Sequence, residues 1–437
     1  MLIKKVLYIC AVLFLISSCV EVRNQYNVIP PGIWRATLTV GSEGQERFID
    51  TENETDRVFT ELTEGELPFN FEVEYVGKDD IKIYILNADE RILVDDITFG
   101  RDPKTLEDSV RINFPIFDSY IIGRYEENRI EGYYIVNFRD QYKIPFKAEF
   151  GRSHRFTNLK KEPAADLSGK WETTFEIGTE DEYKGIGEFK QEGNKLTGTF
   201  RTETGDYRYL QGTVQGNKAY LSCFDGAHAF LFQAKIMEDG SLIGSFRSGN
   251  HYSTSWNAKR NESFELADPN SLTLLKGQEK FYFEFENTEG KMVSINDAKF
   301  ENKPLLVVLF GTYCPNCKDE MNFLKSYFSE NPDLDIEVVG IAFERYKEKE
   351  KSMAAIKRYK TKMDIPFDLL YAGYYDKETA LNQFPMLNKI ISYPTLIYID
   401  KEKNVRQIYT GFSGPATSKY EEFTTNFDEL VKKLENE

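Results

Sequence analysis

The stretch Leu305-Leu306-Val307-Val308-Leu309-Phe310-Gly311-Thr312-Tyr313-Cys314-Pro315-Asn316-Cys317-Lys318-Asp319-Glu320 decides the fold of the C-terminal third of this chain. The unbroken apolar run 305–310 reads as a strand buried on both faces. A short turn follows, and then a helix, with Pro315 suited to a first helical turn where its missing N–H has no partner. Cys314 therefore stands at a helix N-terminus, where unpaired backbone N–H groups and the helix dipole favour a thiolate. Cys317 lies almost one turn further on the same face, placed to resolve a mixed disulfide formed by Cys314. Other readings stay open on the residues alone. A zinc half-site needs two more ligands, and Cys223, His154, His228 and His251 offer none at local spacing. A structural disulfide and a redox-silent pair are the remaining two.

Outward from this centre, residues 337–343 and 396–399 are further apolar runs, with helical patterns at 317–328 and 352–363 and an amphipathic pattern at 420–434. Strands alternating with helices imply an α/β domain around a central sheet. Ile391-Ser392-Tyr393-Pro394-Thr395-Leu396 places a proline immediately before a buried strand, where it breaks the ladder unless it serves a purpose. A cis bond before Pro394 would set the backbone of Tyr393 beside the cysteines, able to pair with a substrate chain.

Residues 276–437 resemble thioredoxin-like proteins of the TlpA/ResA type, which are membrane-tethered extracytoplasmic thiol–disulfide oxidoreductases. The likeness rests on Phe283-x-Phe285 with Glu289-Gly290-Lys291, the Cys-x-x-Cys helix, the inserted helix–strand element and the Pro394 strand. It implies a thioredoxin fold, catalytic Cys314 and Cys317 as a redox-active disulfide with no other cofactor, and Pro394 in the site. Tyr313 (the family usually has Trp there), Pro315, Asn316 and Tyr393 are the substrate-contact candidates. The family's acid three residues after the second cysteine maps onto Glu320, which would exchange protons with Cys317; the plain alternative is a solvated helix-face acid. The buried acid that thioredoxin carries six residues before its first cysteine would fall on Val308 and is absent. Residues 371–373 and 408–415 look like those of lipoproteins of this type from Bacteroidota-like bacteria. The likeness further implies a reductant of client proteins, drawing electrons from a membrane reductase of the DsbD/CcdA kind. Cytochrome c maturation is one such task. Lys318 follows the cysteine pair, so no Cys-x-x-Cys-His haem motif is present.

The N-terminus reads as a targeting segment over residues 1–18: Lys4 and Lys5, an apolar core at 6–16 too short to span a bilayer, then Ile16-Ser17-Ser18-Cys19. This end resembles a bacterial lipobox, which makes Cys19 the lipidation site and 19–30 a tether holding the protein to a membrane in the periplasm or cell envelope. A plain secretory signal and a transmembrane anchor are the alternatives. Residues 31–158 and 167–260 read as all-β antiparallel modules, from the period-two alternation at 71–75 and 81–85 and the turn glycines of the second block. Gly32-Ile33-Trp34 opens one as Gly169-Lys170-Trp171 opens the other, which suggests a diverged repeat. The strand spacing fits small barrels or sandwiches, faintly lipocalin-like. The stretches 160–166 and 261–275 read as linkers, Trp34 and Trp171 as core anchors, and Cys223 as a small buried hydrophobe.

A net charge of −16 argues against binding nucleic acid through phosphates. Besides the oxidoreductase reading, two others remain. One is a lipid-anchored binding protein whose β modules capture a ligand and whose thioredoxin domain is an adaptor. The other is a peroxiredoxin-like peroxide reductase, although Gly311-Thr312-Tyr313-Cys314 lacks the Thr-x-x-Cys spacing of that group.

Overall fold

The computed structural model describes residues 28–41, 65–78, 80–277 and 280–437. Cys19, the expected signal peptide and most of the expected tether lie outside the described residues.

The first sheet holds strands β1 (Gly32–Thr39), β2 (Glu66–Tyr75), β3 (Ile81–Asn87), β4 (Glu90–Val94), β5 (Ile97–Arg101), β6 (Asp108–Phe114), β7 (Ser119–Glu126), β8 (Arg129–Val136) and β9 (Lys143–Phe150). Chain neighbours pair throughout except that β1 joins β9 and the meander stays open between β4 and β5. In β3 the burial alternates residue by residue, so its isoleucines face the core and its Lys82 and Tyr84 lie towards the other face.

The second sheet holds β10 (Gly169–Phe175), β11 (Tyr183–Glu192), β12 (Lys195–Thr202), β13 (Gly205–Asp206), β14 (Leu210–Gln215), β15 (Lys218–Phe224), β16 (Ala229–Ile236), β17 (Leu242–Ser248) and β18 (Tyr252–Arg260). Here β10 pairs with β18 and β11 with β12, which closes the meander into a barrel with the two-residue β13 appended. The two modules open alike. Gly32 and Gly169 take φ of 115° and 108°, and each following tryptophan donates its indole N–H to a carbonyl four residues back, Trp34 to Pro30 at 3.0 Å and Trp171 to Leu167 at 2.8 Å. The barrel is filled with aromatic rings: Phe232 stacks on Phe246 at 4.3 Å and on Phe200 at 4.6 Å. A void of about 10 Å³ remains against Trp256 and Phe232, room for about one water, so the interior of this barrel is packed core and not a lipocalin-style cavity.

The two β modules share a core. Phe69 of β2 stacks on Phe224 of β15 at 4.4 Å. Arg155, between the modules, is buried and donates to Ser222 Oγ at 2.8 Å, Asn87 Oδ1 at 2.9 Å and the Leu86 carbonyl at 2.9 Å. Burial brings its guanidinium down to about 10, and the hydrogen bonds are what make such a burial tolerable.

The C-terminal sheet contains β19 (Glu284–Asn287), β20 (Met292–Ser294), β21 (Leu305–Phe310), β22 (Glu337–Glu344), β23 (Asp368–Tyr374), β24 (Thr395–Ile399) and β25 (Val405–Thr410), in the order β20-β19-β23-β22-β21-β24-β25. Its helices are α1 (Pro315–Glu330), α2 (Lys349–Met363), α3 (Lys377–Gln383) and α4 (Tyr420–Asn436). β21, β22 and β23 are parallel, joined by α1 and α2, and β24 runs antiparallel to β21. The all-apolar β21 feeds two cores at once: Leu305, Val307 and Leu309 point to one face, Leu306, Val308 and Phe310 to the other. This is a thioredoxin fold, so the protein combines all-β modules with an α/β domain.

Both stretches read as linkers are tied down. Ala164 N–H donates to the Gly216 carbonyl at 2.7 Å. Pro269–Leu272 forms a helical turn capped by Asp268, and Thr410 donates to Thr273 Oγ1 at 2.9 Å. Buried Leu272 gives the second stretch an apolar anchor.

Candidate active site

Strand β21 ends at Phe310, and the turn 311–314 lifts the chain into α1. Cys314 is the N-cap of α1, and its sulfur accepts the Cys317 backbone N–H at 3.2 Å. Cys314 is partly exposed while Cys317 is fully buried, and both thiols are free. Burial, with the neighbouring Cys314 adding to it, pushes the Cys317 thiol well above its ordinary value. The pair is thus asymmetric, with one sulfur reachable and the other sheltered.

The Tyr393–Pro394 bond is cis, and the Tyr393 carbonyl accepts from the Cys314 sulfur at 3.5 Å. The Tyr393 ring stacks on Phe343 at 5.4 Å. Glu320 lies one turn below the pair, fully buried, and neither of its oxygens has a hydrogen-bond partner. Burial first and Cys314 second push its carboxyl well above the carboxylate range, so it is held as a neutral acid and is no solvated helix-face residue. Val308, where thioredoxin's own acid would fall, is buried core.

Sequence reasoning missed Glu344. It ends β22, is buried, and accepts the Thr312 N–H at 2.9 Å and the Thr312 hydroxyl at 2.8 Å. Burial raises its carboxyl to about 7 against the pull of those two bonds. The one signal in the sequence was an acid placed directly after the apolar run 338–343.

The β modules reach this site, which the sequence did not disclose. The turn between β12 and β13 lies over the pair: Asn316 Nδ2 donates to the Asp206 carbonyl at 3.2 Å, and Ser392 Oγ donates to the Thr204 carbonyl at 2.6 Å. Pro315 and Asn316, expected to meet substrate, are therefore buried under the barrel module, whereas Tyr313 and Cys314 keep partial exposure. Below them, Arg208 of the barrel is buried among carboxylates of all three domains: Glu90 at 2.6 Å, Asp225 at 3.5 Å, and Asp319 of α1. Arg345, next to Glu344, places its guanidinium 4.3 Å from the Tyr313 ring centre and 5.4 Å from that of Phe138 in the first module. Cys223 is fully buried in β15, where burial drives its thiol well up, and it takes no part in the pair. Among the described residues no group of His, Cys, Asp or Glu side chains is placed to hold a metal ion, and no helix is long and apolar enough to cross a membrane.

A buried strand, a Cys-x-x-Cys helix start and a cis-proline loop facing it define a thioredoxin-like domain of the thiol–disulfide oxidoreductase kind. Residues 277–408 match the model of the AhpC/TSA family. The chain is 22% identical over 156 residues, 36% of its length and 77% of the relative's, to the thiol-disulfide oxidoreductase ResA of Halalkalibacterium halodurans. Among solved structures, a thiol-disulfide oxidoreductase from Bacteroides fragilis is 22% identical, covering 35% of this chain and 99% of that one at a TM-score of 0.26. A thiol:disulfide interchange protein of the thioredoxin family from Chlorobium tepidum is 21% identical, covering 36% and 99% at a TM-score of 0.27. The C-terminal domain is similar to ResA/TlpA-type thiol–disulfide oxidoreductases, and these similarities cover about a third of the chain.

Proposed function

We propose that this protein is an extracytoplasmic thiol–disulfide oxidoreductase, lipid-anchored through Cys19, that reduces disulfides of client proteins. The supporting observation is the asymmetric free pair, with Cys314 partly exposed between the Cys317 amide and the Tyr393 carbonyl and Cys317 buried behind it. Cys314 as thiolate attacks a client sulfur, the client S–S bond breaks, and a mixed disulfide forms. Cys317, deprotonated by the minor carboxylate form of Glu320, then attacks the Cys314 sulfur and releases the client thiolate, which takes its proton from water. A membrane reductase of the DsbD/CcdA kind returns the pair to the dithiol.

The deciding measurement is the reduction potential of the Cys314/Cys317 pair in the full chain, with Cys314→Ser as the control. A value near or below about −270 mV supports a reductant, and one near about −120 mV overturns that direction in favour of disulfide formation. Globomycin-sensitive processing, with loss of membrane attachment in Cys19→Ala, tests the anchor. Gly311 stands three residues before Cys314, and the neighbouring Thr312 gives its hydroxyl to Glu344, which leaves a peroxide-reducing reading without a Thr-x-x-Cys donor.

A further inference from the structure

A cleft of about 370 Å³ opens where the first sheet, the mouth of the barrel and the thioredoxin domain meet, and Cys314 is part of its wall. The other approach to Cys314 is covered, because the β12–β13 turn engages Asn316 and Ser392. With that side engaged by the barrel module, the cleft is an open route to Cys314. Its volume lies near the lower end of small-ligand pockets, roughly 300–1,000 Å³. That suits a small molecule or a short extended segment of a protein.

The chemistry of the wall is selective. In a chain with a net charge of −16, the lining contains no Asp or Glu, yet it contains Arg139, Arg345, His228 and His251. His228 is satisfied by Asp225 at 3.2 Å. Arg139 and Arg345 have no carboxylate within ion-pair distance among the described residues, in contrast to Arg208 nearby with its three. Arg345 Nε is buried without a hydrogen-bond partner. Its guanidinium is nonetheless held in place, between the rings of Tyr313 at 4.3 Å and Tyr375 at 4.4 Å. Arg139 lies 3.1 Å from His251 Nε2. Burial, then Arg139 and Arg345, depress His251 to about 4, so that ring is neutral at pH 7 and adds no charge to the wall. Two positioned guanidiniums lacking anions, in a partly desolvated aromatic wall beside a nucleophilic sulfur, call for a carboxylate from the substrate.

We propose that the three domains jointly form the substrate-recognition cleft, and that it selects disulfides carrying a carboxylate beside the reacting sulfur, in a small molecule or an acidic peptide segment. The proposal rests on the oxidoreductase reading above. The substrate S–S bond takes two electrons from the dithiol, two substrate thiols leave, Cys314 and Cys317 become a disulfide, and an external dithiol reductant restores them.

The test is turnover by the full-length protein with dithiothreitol as reductant. The substrates are four disulfides: hydroxyethyl disulfide, glutathione disulfide, a peptide disulfide flanked by Asp, and the same peptide flanked by Lys. The expected result is an Asp-over-Lys ratio in kcat/KM of about tenfold or more at low salt, shrinking with ionic strength. In Arg345→Gln and Arg139→Gln that ratio falls towards unity; being measured within each variant, it is insensitive to a general loss of folded protein. Glutathione disulfide turned over as well as the Asp peptide assigns the cleft to small acidic disulfides, and poor turnover of it beside a good Asp peptide assigns the cleft to peptide segments. Both support the proposal. Turnover of all four without charge preference, or a preference surviving in both variants, overturns it while leaving the oxidoreductase reading intact. Failure to turn over any of the four overturns both.

Discussion

Glu344 and Glu320 are acids raised by burial, and the sign of their effect follows from that. With a folded-state value near 7 against an ordinary 4.5, Glu344 keeps its proton longer in the native state than in the unfolded one. Its contribution is therefore fully present below about pH 4.5 and is lost as pH rises to about 7, on the order of 3 kcal/mol in all. Glu344→Gln should flatten this slope, which thermal unfolding midpoints between pH 4.5 and 8 will show; an unchanged slope would place the proton elsewhere. Glu320 has the same sign, extended to higher pH, since it has no hydrogen bond to favour its anion. As the proposed proton acceptor for Cys317 it has a kinetic signature too. Glu320→Gln is expected to slow resolution of the mixed disulfide by about 10²-fold near neutral pH, read by quenched-flow thiol alkylation, and to abolish the pH-dependent limb of that rate. A mutant that resolves at the wild-type rate would reduce Glu320 to a packing role.

At the scale of elements, two short features place the chemistry. The start of α1 presents the Cys317 amide to Cys314, and the β12–β13 turn presses on α1 from another domain. Gly205 is the turn's tight point: its φ is +134°, and a Cβ there would sit 2.3 Å from Asn316 Nδ2. Gly205→Ala combines a backbone conformation unfavourable to an L side chain with that clash, and should cost about 1–3 kcal/mol. It should also loosen the cover over the pair. The check is the rate of Cys314 alkylation by iodoacetamide, expected to rise in the folded variant. α1 and β21 were legible in the sequence because a continuous apolar run and a Cys-Pro helix start are local signals. The role of Gly205 was not, because its partner lies 111 positions away in the chain.

The whole molecule is held around Arg208. Its side chain is 5% exposed and contacts one carboxylate from each β module and one from α1. Asp225 is pulled well below the usual range, with burial opposed by His228 and then Arg208, whereas burial outweighs Arg208 at Glu90 and leaves that carboxyl raised. Arg208→Met would leave buried acids without their cation, a loss of about 3–5 kcal/mol. Because those acids belong to different domains, the expected result is separation of the domains before they unfold, seen as a larger radius of gyration in small-angle scattering and as proteolysis near residues 261–275. A compact variant that unfolds in one step would show that apolar contacts such as Phe69 on Phe224 suffice.

The sequence by itself determined the α/β character of the C-terminal domain, the Cys-x-x-Cys spacing at a helix start, the proline before a buried strand and the β character of what precedes, because each is written in local periodicity or spacing; the thioredoxin fold it implied through resemblance to a family. Only the tertiary structure decided that one meander closes into a filled barrel while the other stays open. It also decided that Glu344 is buried, that Asn316 is covered, and that Arg139, His251 and Arg345 share a cleft with Cys314. These depend on which residues meet at a distance along the chain, 32 positions for Thr312 and Glu344 and more than 100 for the cover on Asn316 and the pairing of Arg139 with His251, and no local pattern of apolar and polar residues encodes such a meeting.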